Sequence, residues 1–207
     1  MKRAIERLLE VSSQGNILKK IDVNSFKTDK DILKSFYEEE NLHCFGNALH
    51  FFDKSELDKV NKLVNDLNVY PQGCLFFAED VFGNLFCEKE GKYYLLDLET
   101  GDLEFMGNSL DEWADSVLND YEYYTGYSIL KEWEKTNIPL NRNERLVPKR
   151  FFVLGGEYDI KNLYSLDRLK ALKLRADLYK QIKDIDDGEQ VIIEVKDNKQ
   201  TPKQQTR

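Results

Sequence analysis

Between Leu75 and Met106 short runs of Phe, Tyr and Leu alternate with breaks rich in acid and glycine. This pattern predicts a meander of four strands: Leu75–Ala78, Asn84–Cys87, Lys92–Leu98 and Asp102–Met106. Aromatic and branched side chains suit a pleated, half-buried surface. The breaks Asp80-Val-Phe-Gly83, Glu88-Lys-Glu-Gly91 and Glu99-Thr-Gly-Asp102 each supply a glycine for the positive φ of a tight connection. Ser109-Leu-Asp-Glu112 then has the spacing of a capping box. The helix it opens places Leu110, Trp113, Ala114, Val117, Leu118 and Tyr121 on one apolar face and ends at Gly126.

Upstream, Ala4, Ile5, Leu8 and Leu9 form the inner stripe of a short helix that ends near Gly15. Thr28-Asp-Lys-Asp31 caps a second helix through Glu40, with Ile32, Leu33, Phe36 and Tyr37 inward. Phe45–Phe52 reads as one strand, and Ser55 opens a helix carrying Leu57, Val60, Leu63, Val64 and Leu67, closed by Pro71-Gln-Gly73. Downstream, Tyr127–Thr136 reads as a turn or two of helix and Asn137–Pro148 as a polar loop. The apolar run Phe151–Leu154 stops at Gly155-Gly156. Ser165 caps a long helix with Leu166, Leu169, Leu172, Ala176, Tyr179 and Ile182 recurring at three- and four-residue steps, its apolar face widened by Leu174 and Leu178. A turn at Asp186-Asp-Gly188 and a last strand, Gln190–Val195, follow, and the polar segment 196–207 is expected to be disordered. Helices, then a hairpin-connected meander, then helices and a late strand predict an α+β fold with a mainly antiparallel sheet flanked by helices. Residues 1–195 read as a single domain with a C-terminal helix-strand extension.

Charge changes this picture by location. The chain carries a net charge of −8 over 207 residues. Leu75–Tyr124 alone holds 13 acidic and 2 basic residues, while the flanking segments are close to balanced and residues 196–207 carry 4 basic residues and 1 acid. Such a concentration suits either a solvated face or an electrostatic docking surface for a basic partner. A pI near 5.0 argues against nucleic acid, which demands clustered Lys and Arg. No apolar run approaches the roughly 20 residues that cross a bilayer, and the first residues, MKRAIERLLEVSSQGN, intersperse charge through their apolar positions and so lack a secretory core. Three cysteines without a CxxC motif speak against a disulfide framework, and the cytosol is the simplest compartment.

Candidate chemistry is sparse. His43-Cys44 pairs an imidazole with a thiol, but neighbours on a strand point to opposite faces. His43, Cys44, His50 and Asp53 have no zinc spacing. Asp97, Glu99, Asp102 and Glu104 bracket one hairpin, where carboxylates are ordinary, and Gly155-Gly156 lacks the Lys-Ser/Thr of a phosphate loop. No catalytic residue, cofactor or metal is expected. Tyr123 and Tyr124, beside Asp120 and Glu122, have the composition of a hot spot for an Arg-rich surface.

The run FFAEDVFGNLF followed by KYYLLDLETGDLEFMGNSLDEWAD resembles the SUKH superfamily, whose founding members are Smi/Knr-type fungal cell-wall regulators. The later run PKRFFVLGGEYDIKNLYSLDRLKALKLRADLYKQIKDIDDGEQVIIEV is similar to the C-terminal extension of bacterial members. The resemblance covers about residues 75–195 and departs at Asn84, where relatives often carry Asp. It implies a non-catalytic α+β protein, in bacteria commonly an immunity protein (antitoxin) that blocks a cognate, nuclease-like toxin by occlusion. The alternative within the family is a regulatory or scaffold module for a cellular protein. Contact residues vary between members, so the toxin-binding set expected here comes from charge: Glu99, Asp102, Glu104, Asp111, Glu112, Asp115, Asp120, Glu122, Tyr123 and Tyr124.

Overall fold

In the computed structural model, which describes residues 2–12, 21–40 and 42–185, six antiparallel strands form one sheet in sequence order. They are β1 (His43–Cys44), β2 (Leu49–Phe51), β3 (Leu75–Glu79), β4 (Leu85–Lys89), β5 (Lys92–Leu96) and β6 (Leu103–Gly107). The predicted meander is β3 to β6, with edges displaced by one or two residues. A second, two-stranded antiparallel sheet joins β7 (Glu144–Pro148) to β8 (Leu163–Asp167). Seven described helices accompany them: α1 (Ala4–Glu10), α2 (Asp29–Tyr37), α3 (Lys54–Leu67), α4 (Leu110–Asn119), α5 (Tyr121–Thr125), α6 (Tyr127–Thr136) and α7 (Arg168–Ile182). The architecture is α+β. No described helix is long and apolar enough to cross a membrane.

Trp113 of α4 organises the main core. It is fully buried and meets Phe51, Phe77 and Phe86 edge-on, with ring centroids 5.9, 5.1 and 5.5 Å away. These T-shaped contacts suit the aromatic quadrupole. The helix stripe is buried at Leu110, Ala114 and Val117 as its spacing requires. α1 buries Ala4, Ile5, Leu8 and Leu9, and α2 buries Ile32, Leu33 and Phe36. A second cluster, with Val81, Phe82, Leu130, Trp133 and Leu146, packs at the end of the sheet, and Phe45 touches both clusters.

Several expectations shift. Phe45–Phe52 is not one strand: Phe45 (φ 52°) and Gly46 (φ 70°) turn the chain back, making the β1–β2 hairpin. The loop expected over Asn137–Pro148 contains β7, whose apolar Leu146 and Val147 are buried. α2 stops at Tyr37, not Glu40. Asp53 caps α3 in place of Ser55, and Glu56 completes that box. Asp167 caps α7, leaving Ser165 and Leu166 in β8. In each case an Asp two residues from the expected cap competes successfully for the free N–H groups. At Ser109 only half the box forms: the hydroxyl accepts from Glu112 N, while Glu112 turns to Asn108 N. The acidic helix also breaks at Asp120, whose side chain caps α5. The expected helix end near Gly15, the Asp186-Asp-Gly188 turn, the strand Gln190–Val195 and the disorder of 196–207 lie outside the described residues.

Candidate functional site

The concentrated acid of the middle segment divides into three environments. The first is buried. Glu79, at the end of β3, is 1% exposed, and its Oε1 lies 2.5 Å from Arg145 Nη2 and 2.5 Å from Arg168 Nε. Glu56 lies 2.9 Å from Arg168 Nη1 and 3.1 Å from Arg142 Nη2, and its Oε2 lies 2.9 Å from His50 Nε2. Burial drives the His50 pKa down to about 3, so the ring is neutral and its Nε2–H donates to Glu56. Glu99 is 3% exposed; it faces Arg175 Nε at 3.6 Å and accepts from Val153 N at 3.0 Å. Arg175 also donates to the Phe82 carbonyl. Glu99 therefore fastens α7 and the 151–154 segment to the sheet and is withdrawn from the expected toxin-binding set.

The second environment is the start of α4. Asp111 accepts from Ile5 N at 3.1 Å and lies 3.5 Å from Arg3 Nε; Asp115 lies 2.6 Å from Arg7 Nη2. These two carboxylates tie α4 to α1 and already have cations. Glu112 is exposed but caps Asn108, on the same flank. Asp120 is exposed and holds the first turn of α5, accepting from Tyr123 N at 3.2 Å. The expected single acidic face is thus not one face.

The third environment is a cleft of about 490 Å³. Asp80, Asp97, Asp102, Glu104 and Glu122 line it together with Phe82, Leu95, Ile129, Tyr123 and Tyr158, and no Lys or Arg is among the described lining residues. Its floor is built by a turn. Asp80 Oδ1 accepts from Asn84 N at 2.8 Å, and Oδ2 from Asn84 Nδ2 at 2.9 Å, while Asn84 Oδ1 accepts from Leu98 N at 3.3 Å. Asn84 therefore donates a side-chain N–H to Asp80 that an ionised Asp at that position could not. Burial pushes the Asp80 pKa up to about 7, against the opposing pull of Arg175 and the Asn84 bonds. One wall is the β5–β6 connection. Asp97 Oδ1 accepts from Glu99 N at 2.7 Å and Thr100 N at 3.3 Å, closing an Asx turn. Gly101 (φ +76°) is needed there twice over: its dihedral is left-handed and a Cβ would overlap the Tyr179 ring.

The opposite wall is α5. Glu104 accepts from Tyr123 Oη at 3.2 Å and Tyr124 Oη at 2.9 Å, so one carboxylate fixes both phenols. Burial, reinforced by Glu104, pushes the Tyr124 phenol up to about 12. Tyr123 remains 64% exposed and Tyr158 62%. Tyr158 stacks on Phe152 with ring centroids 3.8 Å apart and meets Phe82 edge-on at 5.8 Å. Of the ten expected residues, the structure brings Asp102, Glu104, Glu122 and Tyr123 together in the cleft, with Tyr124 behind Glu104. Asp80, Asp97, Phe82, Ile129 and Tyr158 were missed as cleft residues. Asp97 alternates with Leu96 and Leu98 along the chain and carried a readable signal; Tyr158 did not, since it arrives from a loop more than 50 positions downstream.

The cleft offers fixed negative potential between aromatic walls, an arrangement that attracts and desolvates a guanidinium or ammonium group. Among the described residues no three His, Cys, Asp or Glu side chains are placed to hold a metal ion.

No family model matches the chain, and no curated protein matches it. Among solved structures it is similar to Atu4351 from Agrobacterium tumefaciens, with a TM-score of 0.50 and 14% identity over 78% of this chain and 87% of that one. At that identity the likeness concerns the fold alone.

Proposed function

We propose that this chain is a non-catalytic, cytoplasmic immunity protein that captures a basic toxin, of nuclease-like charge, and masks it by occlusion. The observation that carries the reading is the cleft: Asp97, Asp102, Glu104 and Glu122 line an open space beside the exposed Tyr123 and Tyr158, and no Lys or Arg is among its described lining residues. Elsewhere the buried Glu79, Glu56 and Glu99 pair with arginine, which leaves the rim carboxylates Asp97, Asp102, Glu104 and Glu122 for a partner. The SUKH-like order of the middle segment supports the same class of function. An acidic site that steers a basic partner accelerates capture by roughly 10- to 1000-fold at low salt. Aromatic rings beside the carboxylates then slow release, since Tyr and Trp anchors dominate interface energies.

The test is recovery of the partner on immobilised full-length protein, followed by co-expression of that partner with the wild-type chain or with D102N/E104Q/E122Q. The reading expects a basic toxic protein to be recovered and growth to be restored by the wild type only. Equal rescue by the triple variant would remove the cleft from the account. Recovery of a non-toxic partner would replace immunity with a scaffolding role.

A further inference from the structure

A pair of thiols lies at the far end of the β3–β4 hairpin from the Asp80–Asn84 turn. Cys74 immediately precedes β3, and Cys87 is the middle residue of β4. In the ladder Phe76 faces Cys87 and Leu75 faces Glu88, so one further step of the register sets Cys74 opposite Lys89. Residues two apart on a strand share a face, which places Cys74 and Cys87 diagonally on the same side of the hairpin. Both belong to the main core cluster, Cys87 fully buried and Cys74 at its partly exposed margin. The two side chains meet through a hydrogen bond in which the Cys87 thiol donates to the Cys74 sulfur. That bond and the charge of Lys89 outweigh burial and Glu88 and bring the Cys74 pKa down to about 7. The same bond, together with burial, pushes Cys87 up. Cys44, the third cysteine, is buried in β1, donates to the Leu8 carbonyl at 3.3 Å and is pushed up by burial.

We propose that Cys74 and Cys87 form a reversible disulfide when the protein meets hydrogen peroxide, with Cys74 as the attacking thiol and Cys87 as the resolving one. The inference is independent of the cleft's reading as a docking site. The Cys74 thiolate attacks one peroxide oxygen. An S–O bond forms, the O–O bond breaks, and the hydroxide released takes up a proton to become water. Cys74 is then a sulfenic acid, its sulfur oxidised at the peroxide's expense. The Cys87 sulfur next attacks the Cys74 sulfur. The S–S bond forms, the S–O bond breaks, and the Cys87 proton departs with the hydroxyl as a second water. Diagonal neighbours across an antiparallel pair stand about 7–8 Å apart, and a disulfide prefers Cα atoms within about 6.8 Å, so closure draws Cys74 inward by about 1 Å. The local backbone can supply that shift, because Cys74 lies outside the ladder and follows Gly73 (φ +78°), whose surroundings are open. The closed loop contains the Asp80–Asn84 turn, so oxidation braces the hairpin that floors the cleft.

The test treats the full-length protein with hydrogen peroxide at neutral pH and counts thiols after unfolding. The wild type should fall from three free thiols to one, lose about 2 Da, and recover both thiols on treatment with dithiothreitol. Digestion without reductant should join the peptides carrying Cys74 and Cys87 and leave Cys44 free. In Cys87→Ala the sulfenic acid at Cys74 should persist and take up dimedone, roughly tenfold more than the wild type does. Cys74→Ser, a change at the partly exposed member of the pair, should leave Cys87 a thiol at the same peroxide dose. Conversion of Cys74 to the sulfinic acid with Cys87 still a thiol would overturn the proposal. So would a bond to Cys44, or a dimer joined through Cys74. Should Cys87→Ala fail to fold, the digestion map of the wild type decides alone.

Discussion

Two groups of carboxylates from the same short stretch meet opposite fates. Glu79 and Glu99 sit in the interior against Arg145, Arg168 and Arg175, whereas Asp97, Asp102, Glu104 and Glu122 edge an open cleft with no cation among the described lining residues. A buried charge survives only when it is paired, because desolvation otherwise exceeds what the fold can offset. The interior group is therefore committed to joining β7, β8 and α7 to the main sheet. The cleft group lines an open space with no Lys or Arg among the described lining residues. Net negative charge in one stretch of sequence therefore does not define one surface, since its carboxylates divide between interior pairs and the cleft.

The comparison can be broken most forcefully at Glu79. Glu79→Gln removes the anion shared by Arg145 and Arg168, taking from the fully buried Arg145 its paired carboxylate and leaving Arg168 with Glu56 alone. Chemical denaturation should show a loss of about 3–5 kcal/mol, with the largest effect of any single carboxylate change. A loss below about 1 kcal/mol would mean that the interior group is not what fastens the second sheet. The cleft group should answer in the opposite currency. D102N/E104Q/E122Q should leave the denaturation midpoint nearly unchanged, yet slow partner association by roughly tenfold or more at low salt.

Asp80 stands between the two groups, buried like the first and facing the cleft like the second. Its folded pKa of about 7 lies above the ordinary 3.8. The folded state therefore holds this proton more firmly than the unfolded chain does. The associated stability is fully present below pH ~4 and is lost as pH rises through ~7. Melting curves of the wild type and Asp80→Asn should diverge over that window, with the wild type losing ground toward alkaline pH. Parallel curves would place the Asp80 charge outside the cleft's electrostatics. The smallest effect belongs to the α1–α4 contact. Asp115 and Arg7 are each about half exposed, so Asp115→Asn should cost less than about 1 kcal/mol and leave partner association unaltered.

Much of the scaffold was legible because local patterns dictated it. The β3–β6 meander followed from runs of three to five apolar residues between glycine turns, and the α4 stripe from its spacing around Trp113. Cap positions erred where two capping residues stood close together, as with Asp53 against Ser55 and Asp167 against Ser165. The site was half legible. Asp102, Glu104, Glu122 and Tyr123 converge because the β5–β6 connection and α5 are near in sequence as well as in space. Glu99 could not be separated from them by composition, since its partner Arg175 lies 76 positions away. One signal was available: Arg168 and Arg175 fall seven residues apart on the same helix stripe as Leu172 and Ala176, and arginine on an apolar stripe announces a buried acid elsewhere.

The most direct measurement is the association rate of the recovered partner as a function of ionic strength, for the wild type and for D102N/E104Q/E122Q side by side. The account predicts a steep fall in rate with added salt for the wild type and a nearly flat, slow response for the variant, the two converging at ~0.5 M salt. Superimposable curves, with the same salt dependence in both chains, would contradict it.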